Sequence, residues 1–130
     1  AKFDGKTGPY IQYAIARINS ILRKADAAGL KAGSIIIESE DERNLALKLA
    51  QFENVIMRAH AGKETSIITD YVYTLAQVFS NFYNTCPIMT AEDKQIAASR
   101  LKLATIVRDM LKKLLYLLGI ESPEVMLKAN

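Results

Sequence analysis

The sequence of 130 residues has no tryptophan, one cysteine, Cys86, and one histidine, His60. A single cysteine excludes an internal disulfide, and with one histidine it cannot supply the four nitrogen or sulfur ligands of a structural zinc site. The acidic run from Glu38 to Glu42 lacks the alternating oxygen ligands and the glycine of a calcium loop, so it is interpreted as the start of a helix. We therefore expect a chain without metal or disulfide, in a reducing cytoplasm.

Long apolar runs are absent as well. No stretch approaches the roughly 20 residues that span a bilayer, and the opening residues show no signal-peptide pattern. We therefore expect a soluble chain without a membrane partner. The opening "AKFDGKTGPY" starts at Ala1 and reads like the interior of a longer sequence, so a fragment is expected.

No catalytic arrangement is found. His60 has no serine or cysteine nucleophile at a recognisable spacing and is interpreted as structural or solvated. The "GKTG" at Gly5 to Gly8 resembles a phosphate loop but lacks the flanking strand and the full spacing, so it is interpreted as a turn before a helix. We predict no catalytic residue and no cofactor within these 130 residues.

The composition and the spacing of apolar residues predict a helical domain. The composition is 50% hydrophobic and 24% charged, and the length suits one domain over residues 1–130. Apolar residues recur at spacings of three and four, which predicts an all-α bundle of about five helices. These helices are expected at 9–28, 43–52, 53–61, 66–83 and 91–118, with one more turn in "SPEVM".

Helix boundaries have their own signals. Capping-box spacing pairs Ser39 with Glu42 and Thr90 with Asp93. The predicted stops, in chain order, are Gly29, Gly62, Pro87 and Gly119. Between the first two helices, the isoleucines from Ile35 to Ile37 lie in a predicted loop and are expected to dip into the core.

The first helix carries the strongest candidate binding surface. Its members share a sector of about 80° beside the apolar face, and they are Tyr10, Tyr13, Arg17, Ser20 and Lys24. Phenol rings and a guanidinium can stack on bases while cations meet phosphates, which suits single-stranded nucleic acid. A net charge of +3 and a pI of about 9.0 permit such an anionic partner. From periodicity alone, half-buried tyrosines beside solvated charges remain the alternative.

Two basic features of the last predicted helix have plainer interpretations. Its lysines and arginines are typical of a solvated face. Arg100 lies beside the apolar seam, where a partly buried structural arginine is expected.

Four segments, in order and spacing, resemble a known family. They are "GKTGPYIQYAIARINSILRKA", "LALKLAQFENVI", "YVYTLAQVFSNFYNTCPIM" and "SRLKLATIVRDMLKKLLYLLGIESPEVM". Together they resemble the helical anticodon-binding domain, of the type called DALR, of arginyl-tRNA synthetases, from about Phe3 to Met126. The sequence departs from the family pattern at Ile15, Val125 and the four residues that follow Met126.

The resemblance implies a cytoplasmic, monomeric class I synthetase that joins arginine to its tRNA with ATP and magnesium. The catalytic signatures of that class, of the His-Ile-Gly-His and Lys-Met-Ser-Lys-Ser types, do not occur in this chain. The resemblance therefore implies the recognition end of the enzyme, with the anticodon stem-loop of arginine tRNA as partner and neither DNA nor a membrane.

The resemblance also implies residue roles. Tyr10, Tyr13 and Arg17 match the family's contacts to the anticodon loop, and Tyr83 matches a contact from another helix. Met126 matches a C-terminal contact to the same loop. Lys24, from the helix geometry, is a candidate phosphate contact.

Two questions stay open at this point. The segment "FSNFYNTCP" is expected to send Phe79 and Phe82 into the core and to leave the face of Tyr83 outward. The function has two alternatives: the related domain of another class I synthetase, such as the cysteinyl enzyme, and a helical protein-interaction module.

Overall fold

The computed structural model describes residues 7–62 and 65–121, and the described residues form five helices and no strand. In chain order they are α1 (Thr7–Ala27), α2 (Glu40–Ala50), α3 (Phe52–Gly62), α4 (Thr65–Thr85) and α5 (Lys94–Glu121). The predicted all-α bundle of about five helices is therefore confirmed. No helix among these residues is long and apolar enough to cross a membrane. The expected turn in "SPEVM" lies outside the described residues.

A shared core joins all five helices. On α1, Ile11, Ile15 and Ile18 are buried at spacings of four and three, as the sequence pattern predicts. The long helix α5 provides the centre, and its fully buried residues include Leu103, Val107, Leu111 and Leu114. Each such side chain contributes about 1.5 to 3 kcal/mol on burial, so the apolar stripes hold the bundle together.

The end of α1 is set by a glycine, as predicted. Gly29 has a φ of 77°, a left-handed conformation that side chains with a Cβ rarely adopt. Its N–H donates to the carbonyl of Asp26 at 3.0 Å, and the N–H of Leu30 donates to the carbonyl of Ala25 at 2.9 Å. These two bonds form a Schellman motif, which satisfies the last carbonyls of α1 and turns the chain.

The start of α2 and its break from α3 follow the sequence signals closely. Ser39 and Glu42 form the predicted capping box, and Gln51 separates the two helices. The Tyr71 hydroxyl of α4 donates to the carbonyl of Lys48 at 2.6 Å, which satisfies a carbonyl near the end of α2. Burial raises the pKa of Tyr71 to about 12. Even an ordinary phenol, with a pKa of about 10, is protonated at neutral pH, so the hydroxyl can donate this bond with or without the shift.

The boundaries predicted for α5 were wrong at both ends. The helix begins at Lys94, three residues after the predicted start, because Asp93 acts as its N-cap and accepts from the N–H of Gln95 at 2.8 Å. At the other end the helix continues through Gly119 to Glu121. Leu118 and Gly119 are both buried. Packing therefore offsets the roughly 1 kcal/mol by which a glycine weakens a helix.

The loop between α1 and α2 also differs from the expectation. Ile35 and Ile37 are 46% and 40% exposed, so they do not dip into the core. The backbone provides the anchor, because the N–H of Ile36 donates to the Ser99 hydroxyl at 2.7 Å and that hydroxyl lies 3.2 Å from the carbonyl of Ile36. The N–H of Gly33 donates to the carbonyl of Ala98 at 3.0 Å. The loop is thus held along α5 by backbone hydrogen bonds, with Ile35 and Ile37 exposed and Ile36 half-buried.

Candidate nucleic-acid interface

Two helices bring the candidate residues together. The ring of Tyr10 on α1 packs against the ring of Tyr73 on α4, with centroids 5.3 Å apart. Further along both helices, the guanidinium carbon of Arg17 lies 4.1 Å from the centroid of the Tyr83 ring. The two pairs run in the same order along α1 and α4. We call the face that carries Tyr10, Tyr13, Arg17, Lys24, Tyr73 and Tyr83 the α1/α4 surface.

Between the Tyr10–Tyr73 pair and the Arg17–Tyr83 pair lies a cavity of about 190 Å³, here called the α1/α4 hollow. Small side chains at Ala14, Ala76 and Ser80 leave this space open because they do not reach across between the helices. The described residues that line it are Tyr10, Tyr13, Ala14, Arg17, Ala76, Phe79, Ser80 and Leu111. The hollow therefore has aromatic and cationic edges above an apolar floor.

A second cavity, of about 370 Å³, lies at the C-terminal end of α4 and is here called the α4-end hollow. Tyr83 borders it, and Lys24, Asn84 and Thr90 supply polar groups. Among the described residues, its lining consists of Ile21, Lys24, Tyr83, Asn84, Cys86, Pro87, Ile88, Met89 and Thr90. Arg17 and Tyr83 thus separate two hollows on one surface.

The charges of this surface suit an anion. Arg17 and Lys24 contribute two positive charges, and none of the described residues that line either hollow is acidic. Lys24 is exposed, Arg17 is half-buried, and Tyr13 is 69% exposed. A polyanion with planar groups would therefore find cations and rings within one strip, which is the pattern of single-strand nucleic-acid surfaces.

Tyr83 is divided between core and surface. Its neighbours Phe79 and Phe82 are buried, as predicted, and the rings of Phe79 and Tyr83 lie 6.3 Å apart. The ring of Tyr83 is half-buried, and Arg17 covers one of its faces. The sequence suggested an outward face, whereas the structure adds a guanidinium on top of it. Cation–π contact of this kind contributes about 0.5 to 1 kcal/mol at exposed sites and keeps the guanidinium in place.

Tyr73, which pairs with Tyr10, is not among the residues predicted from the sequence. A signal was available, because Tyr73, Ala76, Ser80 and Tyr83 follow the three and four spacing of one helix face. The pairing itself needed the packing of α1 beside α4.

The remaining residues that the sequence singled out lie outside the two hollows or outside the described residues. Ser20 is half-buried, and His60 is exposed near the end of α3. No group of three or more potential metal ligands occurs in the described part of the chain. Arg100 is 9% exposed and paired with Glu42, as expected for a structural arginine. Met126 lies outside the described residues, so its distance from the α1/α4 surface is not given by the structure.

Comparison with known proteins identifies the family of the chain. A family model described as the DALR anticodon binding domain matches residues 11–126, which cover four of the five helices and most of α1. The chain belongs to the DALR anticodon-binding domain family.

Individual relatives of this DALR domain are arginine-tRNA ligases. The chain is 43% identical over 124 residues to the enzyme of Maricaulis maris. This match covers 95% of the chain and 21% of the relative. It is 44% identical over 126 residues to that of Haemophilus influenzae strain PittGG and 45% identical over 126 residues to that of Mannheimia succiniciproducens. Both of these matches cover 95% of this chain and 22% of the relative. The chain thus spans about a fifth of the length of the curated relatives it matches.

Proposed function

We propose that this DALR domain binds the anticodon loop of arginine tRNA on the α1/α4 surface, as one domain of a longer arginine-tRNA ligase. The observation that carries the proposal is the Arg17–Tyr83 pair, which stands between two hollows whose described lining residues include no acidic one. The similarity to arginine-tRNA ligases over 95% of the chain supports arginine tRNA over the tRNAs of other synthetases.

In this proposal the loop is unstacked and its bases are held one by one. Tyr13 offers an exposed ring, and Arg17 offers a guanidinium plane that Tyr83 supports from below. Each base stacked on an aromatic ring contributes about 1 to 3 kcal/mol. Lys24 meets the backbone phosphates, which adds affinity without reading sequence. Met126 is proposed to approach the same loop.

Base reading is proposed to centre on the middle anticodon nucleotide. Every arginine codon has G in its second position, so every arginine tRNA has C in the middle of its anticodon. A domain that depends on this C and tolerates the flanking bases can recognise all arginine tRNAs. The hollows beside Arg17 and Tyr83 offer hydrogen-bond donors and acceptors from Ser80, Asn84 and Thr90 for this purpose.

Catalysis is proposed to belong to the rest of the ligase. The longer enzyme would use ATP and magnesium to join arginine to the tRNA in the cytoplasm, and it would act as a monomer. This chain has no catalytic signature of that class, so we expect it to bind tRNA without aminoacylating it.

The direct test uses a fluorescently labelled arginine anticodon stem-loop, titrated with the chain at constant salt. A second stem-loop carries G in place of the middle C. We expect the C-to-G change to weaken binding by about 1 to 3 kcal/mol, the usual cost of one wrong base. Equal affinity for the two stem-loops would contradict base reading.

Two further titrations separate the alternatives. A stem-loop from cysteine tRNA should bind more weakly than the arginine stem-loop if the arginine assignment is right. Affinity should also fall with salt, because each phosphate contact to a single strand contributes a slope of about −0.7 in a plot of log affinity against log salt. Binding of another protein that is insensitive to salt and to RNA competitor would favour the protein-interaction alternative.

A further inference from the structure

The C-terminal end of α4 is held by three successive contacts from other elements. The Thr85 hydroxyl donates to Oδ2 of Asp41 at 2.6 Å. The sulfur of Cys86 lies 3.3 Å from the hydroxyl of Ser39. An N–H of Arg100 donates to the carbonyl of Pro87 at 2.8 Å. The segment from Thr85 to Pro87 is therefore anchored residue by residue to the start of α2 and to α5.

Two of these contacts are made by residues, Ser39 and Arg100, that also bond to a buried carboxylate. Glu42 is fully buried, and its Oε2 accepts from Nε of Arg100 at 2.9 Å. Its Oε1 accepts from the backbone N–H groups of Ser39 at 2.6 Å and Glu38 at 2.9 Å. Burial by itself raises the pKa of Glu42, but the bonds from Arg100 and the two N–H groups, with the charge of Arg100, hold that pKa below its ordinary value. The carboxylate is therefore charged at neutral pH and fully hydrogen-bonded.

A buried ion pair is a poor way to gain stability alone. Apolar residues of similar volume often stabilise a core as well or better, because burying two charges carries a large desolvation cost. A guanidinium, however, is a rigid planar fork that can hold a carboxylate and a carbonyl in one fixed geometry. Here Arg100 joins Glu42 of α2 to the carbonyl of Pro87 after α4, and its Nη2 also lies 3.7 Å from Oε1 of Glu38. The pair therefore orients the chain at the end of α4.

The anchored residues border the surface described above. Cys86 and Pro87 line the α4-end hollow together with Tyr83, which stands in the last turn of α4. We propose that Glu42, Arg100 and Thr85 are positioning residues that fix the Tyr83 ring and the α4-end hollow for RNA. The part of this proposal that concerns RNA rests on the proposed function, whereas the fixing of Tyr83 does not.

The test compares three variants of the full 130-residue chain. Arg100→Lys keeps a charge for Glu42 but removes the planar fork, and Thr85→Val keeps the shape but removes the exposed hydroxyl. The matched control is Ser99→Ala at the position beside Arg100, which breaks the part-buried hydrogen bonds to Ile36 in the loop between α1 and α2. Each chain is labelled with 3-fluorotyrosine, and the fluorine resonance of Tyr83 is assigned by its loss in Tyr83→Phe.

Two readouts are taken at a temperature where unfolding curves show all chains folded. We expect Arg100→Lys and Thr85→Val to shift the fluorine resonance of Tyr83 and to weaken binding of the arginine stem-loop. For Arg100→Lys the expected loss is about fivefold or more, the lower end of the cost of a lost base stack. Ser99→Ala should do neither, although it also loses stability. Thr85→Val is the variant that stays informative if Arg100→Lys does not fold.

The possible results distinguish the fixing of Tyr83, its effect on RNA binding and the proposed function itself. An unmoved Tyr83 resonance in both positioning variants, or an equal shift in Ser99→Ala, would overturn the proposal, since the network would then serve stability alone. A shifted resonance with unchanged RNA affinity would overturn its RNA part. Failure of the unmodified chain to bind any stem-loop would instead contradict the proposed function, while the fluorine measurement would still decide whether the network fixes Tyr83.

Discussion

The α1/α4 surface and the groove between α3 and α5 both expose aromatic rings, but they differ in charge and in support. The α3/α5 groove is the larger cavity, with a volume of about 610 Å³. The part of the chain that the structure describes lines it with Phe52, Glu53, Ile56, Met57, Lys112, Lys113, Tyr116 and Leu117. Tyr116 in the groove is 64% exposed, close to the 69% of Tyr13 on the α1/α4 surface.

If the α1/α4 surface binds RNA as proposed, neither cavity volume nor an exposed ring is enough to identify such a surface. In the groove, two lysines share the lining with the carboxylate of Glu53, whereas the α1/α4 surface pairs a guanidinium with a ring and its hollows have no acidic lining residue among those described. The end of α4 is also braced by the buried Glu42–Arg100 pair. The groove is instead backed by the apolar residues Phe52 and Leu117.

The largest expected effect concerns this bracing. Glu42→Gln should lower the free energy of unfolding by about 3 kcal/mol near pH 7, because breaking a buried pair leaves the other charge uncompensated. The matched change at the groove, Glu53→Gln, removes an exposed carboxylate and should stay within about 0.5 kcal/mol. Urea unfolding followed by circular dichroism measures both. A Glu42 variant as stable as Glu53→Gln would remove this distinction between the two regions.

The pH dependence of the free energy of unfolding tests the same contribution of Glu42. The folded-state pKa of Glu42 lies below its ordinary value of 4.5, so its stabilising contribution is present above that value and is lost as pH falls through the folded pKa. The stability difference between the wild type and Glu42→Gln should therefore narrow below about pH 4. A difference that stays constant from neutral to acid pH would contradict ionisation of Glu42.

The next effect is on RNA affinity at the centre of the α1/α4 surface. Tyr83→Ala should weaken binding of the arginine stem-loop by about 2 kcal/mol, since it removes the ring that supports Arg17. Tyr83→Phe keeps the ring and should bind nearly as well as the wild type. If the phenylalanine variant lost as much as the alanine variant, the hydroxyl rather than the ring would be responsible.

A smaller effect comes from two tyrosines matched in exposure. Tyr13→Ala should lower affinity for the stem-loop by about 1 kcal/mol, the lower range for one stacked base. Tyr116→Ala removes an equally exposed ring from the α3/α5 groove and should leave affinity unchanged. Both variants are titrated in the same buffer. Equal losses would mean that exposure alone sets RNA binding, and the comparison would fail.

The smallest effect concerns single charges. Lys24→Gln should reduce the salt slope of stem-loop binding by about 0.7, which corresponds to one phosphate contact to a single strand. Lys112→Gln, at the groove, changes the net charge equally and should leave the slope unchanged. Affinities measured at several salt concentrations give both slopes. The same slope change in both variants would indicate attraction by net charge, without a located contact.

Local sequence signals predicted most of the fold. The apolar period identified five helices, and the capping box of Ser39 with Glu42 and the stop at Gly29 are local features that act within a few residues. The errors arose where packing outweighed local preference. Burial of Leu118 carries α5 past Gly119, and hydrogen bonds to Ser99 hold the α1 to α2 loop while Ile35 stays exposed.

The sequence by itself determined one face of α1, because Tyr10, Tyr13, Arg17 and Lys24 lie on the same side of the helix through the 3.6-residue period alone. Only the tertiary structure decided which residues of other helices this face contacts. Packing of α4 beside α1 placed Tyr73 under Tyr10 and Tyr83 under Arg17, across about 60 residues of sequence. Burial of Glu42 with Arg100 is likewise a contact between distant segments. Such contacts depend on how helices assemble around a shared core, and the period of a single helix carries no information about its neighbour.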